Sequence, residues 1–280
     1  YEAVYSNTTS SGNTGVGYQA LKTNTGDGNT AVGAEALELN TSGGTNTAVG
    51  GKALYANTTG TDNSALGYGS LQANTEGNNN TGIGTLALAA NTTADANVAV
   101  GDRSLNSNST GNYNVGLGSK SLQSNSTGTR NIAIGYQAYD GADTEKDNLA
   151  IGYDALGGSI NGGEYNVAIG NYSLDGNTSG DENTAVGYNS LSANTSGKEN
   201  TAIGAQALRA NTTGSYNTAT GLQSLYANTT GESNTATGIF SLNANTTGDK
   251  NTATGYSLYA NTTGNENVAM GYDALAANTT

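Results

Sequence analysis

One sequence unit of seventeen residues recurs from end to end of this chain. Counted from its most constant residue, the unit reads N-T-A-V-G-Y-Q-A-L-Y-A-N-T-T-G-x-x. Its copies start at Asn13, Asn29, Asn46, Asn63, Asn80, Asn97, Asn114, Asn131, Asn148, Asn166, Asn183, Asn200, Asn217, Asn234, Asn251 and Asn267. A fixed period of this length is typical of a stacked array in which each repeat contacts its neighbours. The sequence therefore predicts one repeat array over residues 1–280, with a partial coil at 1–12 and divergent coils at 131–165.

Composition favours order through repetition over an ordinary globular domain. Gly makes up 42 of the 280 residues, and Pro, Cys, His and Trp are absent. A hydrophobic content of 34% is low enough to suggest disorder, but only 11% of the residues are charged and the apolar ones recur in register. The chain begins and ends inside a repeat, so we expect it to be a segment of a longer protein.

The charge and the missing residue types exclude several classes of function. A net charge of -13 disfavours nucleic acid and anionic membranes as partners, and no apolar run reaches the roughly 18 residues that span a bilayer. Without His or Cys there is no ordinary nucleophile–base pair and no ordinary zinc site. Neighbouring carboxylates such as Asp181 and Glu182 would face opposite sides of a strand. We therefore expect no enzymatic activity and no cofactor.

Two constant features of the unit predict its corners. Position 5 is Gly in all sixteen copies, as expected where a side chain would clash or φ is positive. Positions 12–15, N-T-T-G, are turn-forming residues. Between these corners we predict two short strands, near positions 2–4 and 7–11, and hence an all-β, parallel β-solenoid (β-roll) with one coil per repeat. The corner glycines include Gly50, Gly67, Gly84, Gly101, Gly118 and Gly135.

Stacked coils place identical positions above one another, about 4.8 Å apart. The Asn at position 1 then forms a ladder of side-chain amides, which adds to backbone pairing. The predicted ladder includes Asn46, Asn63, Asn80, Asn97, Asn114 and Asn131.

Strand alternation predicts two apolar faces. Ala at position 3 opposes Val at position 4, and Ala or Ser at position 8 opposes Leu at position 9. We expect the small residues to fill the coil interior and the Val and Leu stripes to form a core between subunits, or the reverse; a wider monomeric coil holding both sets is the alternative. The stripes include Val49, Leu54, Leu66, Leu71, Ile83 and Leu88.

The core A-V-G-x-x-A/S, as in Asn46-Thr47-Ala48-Val49-Gly50-Gly51-Lys52-Ala53, resembles the head repeats of trimeric autotransporter adhesins. The longer unit with N-T-T-G is similar to the repeat arrays of bacterial and phage proteins that carry a tail-fibre domain. The resemblance covers essentially the whole chain, although the adhesin repeat is shorter than seventeen residues. It implies an extracellular, cell-surface or virion fibre, a homotrimer of intertwined β-rolls, and a role in attachment.

The pattern breaks in two places. Position 4 becomes Thr at Thr220, Thr237 and Thr254, either as a hydrated or ligand-binding strip or as isosteric replacements of Val. The divergent coils are acidic, and their carboxylates either bind Ca²⁺ or form a solvated loop. Tyr side chains at positions 6 and 10 either grip a sugar or protein or pack between coils. A candidate contact surface comprises Tyr136, Tyr139, Asp140, Asp143, Glu145 and Tyr153.

Two functions remain, together with a minor one. The uniform repeats favour a structural fibre that associates with itself, including end to end, because exposed terminal coils invite stacking. The divergent coils and Tyr stripes favour an adhesin or tail-fibre module that binds a host glycan or protein. The minor alternative is ice binding by Thr rows at positions 2 and 13. Many N-x-S/T sequons are present, and they are glycosylation sites only in a cell with that machinery.

Overall fold

A computed structural model describes residues 3–6, 9–141, 143–158 and 161–280. Within that part of the chain there is no helix, and none that could span a membrane. Every coil contributes one three-residue strand at positions 2–4 of the repeat. The strands are β1 (Thr14–Val16), β2 (Thr30–Val32), β3 (Thr47–Val49), β4 (Ser64–Leu66), β5 (Thr81–Ile83), β6 (Val98–Val100), β7 (Val115–Leu117), β8 (Ile132–Ile134), β9 (Leu149–Ile151), β10 (Val167–Ile169), β11 (Thr184–Val186), β12 (Thr201–Ile203), β13 (Thr218–Thr220), β14 (Thr235–Thr237), β15 (Thr252–Thr254) and β16 (Val268–Met270).

The chain forms two compact units, Tyr1–Thr144 and Glu145–Thr280. In the first unit, β1 to β8 pair in sequence order, each parallel to the next and in register at the repeat position. In the second unit, β9 to β16 pair in the same way. The predicted all-β, parallel β-solenoid with a coil of about seventeen residues is therefore confirmed.

The prediction of a second strand in each coil is wrong. Positions 6–11 are turns, and the backbone is left-handed at positions 7 and 9, for example at Lys52 (φ 59°) and Leu54 (φ 50°). The Lys52 amide donates to Ala34 of the preceding coil, whereas the Leu54 amide donates to Ser70 of the following coil. The direction of inter-coil pairing thus reverses within two residues, which an extended strand cannot do.

The corner glycine at position 5 has the conformation that its constancy predicts. Gly50 has φ 134°, and a Cβ placed there would lie 2.5 Å from the carbonyl oxygen of Gly67 in the next coil. Gly60 at position 15 is equally crowded, since its Cβ would lie 2.5 Å from the Gly77 oxygen and 2.6 Å from the Asn57 side chain. Position 5 requires glycine because successive backbones meet there, whereas position 15 also accepts Ala94 in the coil that starts at Asn80.

The interior of each unit combines small, apolar and amide side chains. Ala at position 3, Ala or Ser at position 8 and Leu at position 9 are fully buried in almost every coil. Positions 8 and 9 were expected on opposite faces, but both point inward because the left-handed residues interrupt strand alternation. The small residues do fill the coil interior as expected, and the Leu stripe joins them there. Of the two predicted apolar stripes, the Leu stripe at position 9 is buried, and only the stripe at position 4 faces outward.

Candidate functional site: the outward face of the strands

A ladder of Asn side chains at position 1 supports the strands from inside. The backbone amide of Asn63 donates to Oδ1 of Asn46 at 3.0 Å, and its side-chain Nδ2 donates to the same oxygen at 3.1 Å. Asn80 and Asn97 repeat both bonds, while the backbone amides of Asn114 and Asn131 donate to the preceding Asn. Each coil is therefore fixed to its predecessor directly beside the strand.

A second buried Asn ladder runs along position 12, where the sequence had indicated only turn chemistry. Asn57 Nδ2 donates to Asn40 Oδ1 at 2.7 Å, and Asn74 Nδ2 donates to Asn57 Oδ1 at 2.8 Å. The side chain of Asn57 is fully buried. The recurrence of Asn at this position in nearly every repeat was the signal that could have identified the ladder.

The second ladder is incomplete at the end of the first unit. Asn125 is buried, and its Nδ2 donates to Asn108 Oδ1 at 2.8 Å and to the Gly128 carbonyl at 3.1 Å. Its Oδ1 has no hydrogen-bond partner. The next repeat carries Ala142 at position 12, a residue outside the described part of the chain, so the sequence offers no further Asn to continue the ladder.

In each unit, the side chains at positions 2 and 4 of the strands form what we call the outer strand face. Position 3 points into the coil, and positions 2 and 4 are exposed or half-buried. The chain has 9 basic and 22 acidic residues, yet none of the 32 outward positions (two in each of sixteen strands) is charged. The residues there are Thr, Ser, Val, Leu, Ile and Met.

Three consecutive strands of the first unit present apolar side chains at both outward positions. We call these six residues the apolar patch: Val98, Val100, Val115, Leu117, Ile132 and Ile134. Leu117 is 44% exposed, and Val98 and Ile132 are exposed to a similar degree. Strand pairing brings the side chains of each column above one another. The patch is thus contiguous, flat and open to solvent in the isolated chain.

Three consecutive strands of the second unit present Thr at both outward positions. We call this set the threonine block: Thr218, Thr220, Thr235, Thr237, Thr252 and Thr254. The Thr at position 13 behaves differently, since the hydroxyls of Thr212 and Thr229 each donate to a carbonyl of the following coil at 3.0 Å. The rows at positions 2 and 13 that suggested ice binding therefore do not form one hydroxyl array.

Tyr side chains at position 6 border the outer strand face. Tyr153 and Tyr188 are exposed, and both rings meet Tyr172 edge to face, at 5.4 and 6.2 Å between centroids. Burial, followed by the neighbouring Tyr153 and Asp154, raises the pKa of the Tyr172 hydroxyl above its ordinary value of 10.0. The rings pack between coils and still leave accessible surface.

The candidate contact surface in the divergent coils is only partly available. Tyr139 is fully buried and Glu145 is 4% exposed, so neither can meet a partner. Tyr139 takes the interior place of the usual Leu at position 9, and Glu145 accepts a hydrogen bond from the Gly162 amide at 2.9 Å. Tyr136, Asp143 and Tyr153 are exposed, and Asp140 is half-buried. Among the described residues, no group of three acidic side chains could hold a metal ion.

The adjacent carboxylates of Asp181 and Glu182 are not arranged as a pair. Asp181 Oδ2 accepts from Lys198 Nζ at 2.6 Å, and its Oδ1 accepts from the Glu164 amide at 3.1 Å. The hydrogen bond to Asp181 and the charge of that carboxylate raise the pKa of Lys198 above 10.5. Asp181 therefore links successive coils on the surface.

Comparisons of the chain with protein-family models, with curated proteins and with solved structures give no match.

Proposed function

We propose that this chain is a segment of an extracellular structural fibre in which copies of the chain associate side by side through the outer strand face. The observation that carries the proposal is the absence of charge from all 32 outward strand positions in a chain of net charge -13. Charge is depleted at the centres of protein interfaces, and contiguous exposed apolar patches mark interaction surfaces.

The apolar patch is the centre of the proposed interface. Its strands are held from beneath, because the position-1 ladder joins all three coils and the position-12 ladder joins the first two. A second copy of the chain suits this face because its side-chain columns have the same coil-to-coil spacing. The side chains of one copy and the spaces between those of the other then repeat at the same interval. The resemblance to trimeric adhesin heads favours three copies around one axis.

The acidic remainder of the surface supports the same arrangement. With 22 acidic and 9 basic residues, random contacts between copies are opposed by repulsion, and the charge-free face is the surface on which copies approach without that cost. An extracellular or virion-surface location remains part of the proposal and is supported by the repeat resemblance.

The mass of the native particle in solution tests the proposal. We expect a discrete multiple of the 27.9 kDa chain. The variant Leu117→Lys, in the apolar patch, should lower that mass. The control Tyr113→Lys places the same charge at an exposed position of the preceding turn, where Arg130 and Lys250 show that basic residues are accommodated, and should leave the mass unchanged. A monomer at micromolar concentration, or equal effects of both variants, would overturn the proposal.

Attachment to a glycan or protein is the second candidate function, favoured by the exposed rings of Tyr153 and Tyr188 beside Tyr172. Binding to a glycan array and to immobilised extracellular-matrix proteins tests it. The double variant Tyr153→Ala, Tyr188→Ala should abolish any signal. The matched control is Tyr165→Ala, Tyr216→Ala, which removes two Tyr side chains that are equally exposed at position 17.

A further inference from the structure

The outer strand face of the second unit changes in polarity along the order of its strands. Both outward positions are aliphatic in β9 and β10, with Leu149 and Ile151 on the first of these strands. In β11 and β12, position 2 is Thr and position 4 is Val or Ile. In β13, β14 and β15, which carry the threonine block, both positions are Thr. The face thus passes from aliphatic through mixed to hydroxyl-bearing over seven coils.

The hydroxyls of the threonine block are unused within the described chain. No hydrogen bond joins any of the six hydroxyl groups to another described group, whereas the position-13 hydroxyls of the same coils are all engaged in bonds to the next coil. Thr218, Thr235, Thr237 and Thr252 are exposed. In-register pairing aligns the block in two columns, one at position 2 and one at position 4. The block is therefore a patch of donors and acceptors on a face that is otherwise apolar or mixed.

We propose that the threonine block fixes the orientation and register in which neighbouring copies of this chain pack through the outer strand face. This inference rests on the proposed self-association. In a parallel arrangement without stagger, the aliphatic strands β9 and β10 meet their own equivalents and the threonine block meets the threonine block. Each hydroxyl is both donor and acceptor, so hydroxyl-to-hydroxyl contact satisfies both columns.

Other alignments leave the hydroxyls without partners. An antiparallel copy that overlaps all seven strands from β9 to β15, or a parallel copy shifted by several coils, places the threonine block against side chains such as Leu149, Ile151 and Ile169. These offer no hydrogen bond, and a hydroxyl that loses water without gaining a partner is destabilising. A polar pair that selects register at one place in an apolar seam acts in the same way in coiled coils.

Shape alone does not distinguish the threonine block from a Val-bearing coil. Thr and Val have nearly the same volume, so the threonine block has the same thickness as the Val-bearing coils, and coils of about equal rise would slip past one another at little cost. Val186 and Thr220 occupy the same repeat position and differ chiefly by a hydroxyl group. The threonine block is therefore distinguished from such a coil by its hydrogen-bonding groups.

Cross-linking between single-Cys variants tests the inference, because the chain contains no cysteine. Val167→Cys, Thr201→Cys and Thr235→Cys place thiols at position 2 of β10, β12 and β14, two coils apart. Pairs of variants are mixed, allowed to assemble and treated with a short bis-maleimide, and the products are identified by mass spectrometry. We expect links between equivalent positions to exceed links between non-equivalent positions by at least about tenfold. That ratio is the population difference expected from the free-energy penalty of one buried hydroxyl without a hydrogen-bond partner.

A hydroxyl-free block shows whether the Thr residues are responsible. The combined change Thr218→Val, Thr220→Val, Thr235→Val, Thr237→Val, Thr252→Val and Thr254→Val, made in the chains that carry Val167→Cys or Thr201→Cys, should keep the particle mass and lose most of the tenfold preference. The control is Thr230→Val, Thr247→Val, Thr263→Val, which alters three exposed Thr at position 14 of the same coils and should keep the preference.

The outcomes separate the inference from the proposed function. An assembled particle whose links join equivalent and non-equivalent positions equally overturns the inference and leaves self-association intact. If the variant with the hydroxyl-free block retains the full preference, another feature sets the register, and the inference is also overturned. A monomeric wild-type chain, seen from its mass before any cross-linking, overturns both.

Discussion

The side-chain amides of Asn46 and Asn57 converge on one carbonyl oxygen. Asn46 Nδ2 donates to the oxygen of Gly60 at 2.8 Å, and Asn57 Nδ2 donates to the same oxygen at 3.0 Å. Positions 1 and 12 of one repeat are therefore joined through position 15, and the arrangement recurs at Asn63 and Asn74 on Gly77. The two ladders thereby act as one buried network that closes the N-T-T-G corner.

This network predicts different costs for two equivalent substitutions. Asn57→Ala removes bonds to Asn40 and Gly60 and leaves the Asn74 side-chain Nδ2 without one of its two acceptors. Asn125→Ala removes two comparable donor bonds, but the Oδ1 of Asn125 had no partner to lose. We expect Asn57→Ala to lower the free energy of unfolding by about 2–4 kcal/mol and Asn125→Ala by roughly 1 kcal/mol less.

Chemical denaturation followed by circular dichroism measures both variants, and the exposed Thr59→Ala in the same turn serves as control. Thr59→Ala should stay within about 0.5 kcal/mol of the wild type. Equal losses for Asn57→Ala and Asn125→Ala would contradict the role given to the acceptor oxygen.

The corner glycine predicts a sharp contrast between neighbouring residues. Gly50→Ala would place Cβ 2.5 Å from the Gly67 carbonyl oxygen at φ 134°, whereas Gly51→Ala would meet nothing nearer than Tyr68 Cδ2 at 3.5 Å. We expect Gly50→Ala to cost more than about 4 kcal/mol and to separate the coils locally. Gly51→Ala should be neutral or stabilising by up to about 1 kcal/mol.

Hydrogen exchange of the amides around Gly50 and Gly67 is the direct measurement. Slow exchange there in Gly50→Ala, similar to the wild type, would show that the coils can move apart without loss of pairing and would refute the close approach.

The two leucine locations predict opposite consequences for the same mutation. Leu71 at position 9 is fully buried, whereas Leu66 at position 4 is 50% exposed on the outer strand face. Leu71→Ala should lower the free energy of unfolding by about 2–5 kcal/mol through a cavity. Leu66→Ala should change it by less than about 1 kcal/mol at concentrations where the chain is monomeric.

Denaturation at several protein concentrations distinguishes the two positions. If Leu66 lies in a self-association surface, its truncation should cost more as the concentration rises, because association stabilises the folded chain by mass action. A large and concentration-independent cost at Leu66 would place that side chain in the interior.

Burial decides which N-x-S/T sequons can carry a glycan. The Asn is exposed in the sequons at Asn79 and Asn171, and it is fully buried in those at Asn40, Asn57, Asn91, Asn108, Asn125, Asn177, Asn194, Asn211, Asn228, Asn245 and Asn261. A glycan on a buried ladder residue would prevent stacking. When the chain is directed through a eukaryotic secretory pathway, we expect secreted, folded material to carry glycans at Asn79 and Asn171 and none at the eleven fully buried sequons.

Peptide mapping of the secreted and the retained fractions checks this expectation. Glycans at Asn57 should occur only in retained, misfolded protein, and Asn79→Gln should remove one glycan from the secreted form without affecting its folding. Secreted, solenoid-forming protein with a glycan at Asn57 would contradict the buried ladder.

The sequence by itself determined the repeat, the parallel stacking and the glycine corners. These follow from residues whose role is local or whose repetition is exact: Gly50 has no side chain to clash, and Asn46 recurs at the interval that stacking requires. Because Gly and Asn recur every seventeen residues, each repeat forms an equivalent coil, and the coils stack in register.

Tertiary structure decided which way the side chains between the corners point. Leu54 and its equivalents adopt a left-handed backbone, a conformation that costs an isolated L-residue about 1–2 kcal/mol. Local propensity and strand alternation argue against this conformation. It is stabilised by hydrogen bonds from the backbone amides of Lys52 and Leu54 to the two neighbouring coils, and by burial of the Leu side chain. That choice turns positions 8 and 9 inward together, buries Tyr139, and leaves only the strand positions 2 and 4 on the outer strand face. Contacts with adjacent coils, which no single repeat contains, are the physical reason that the outer strand face could not be read from the sequence.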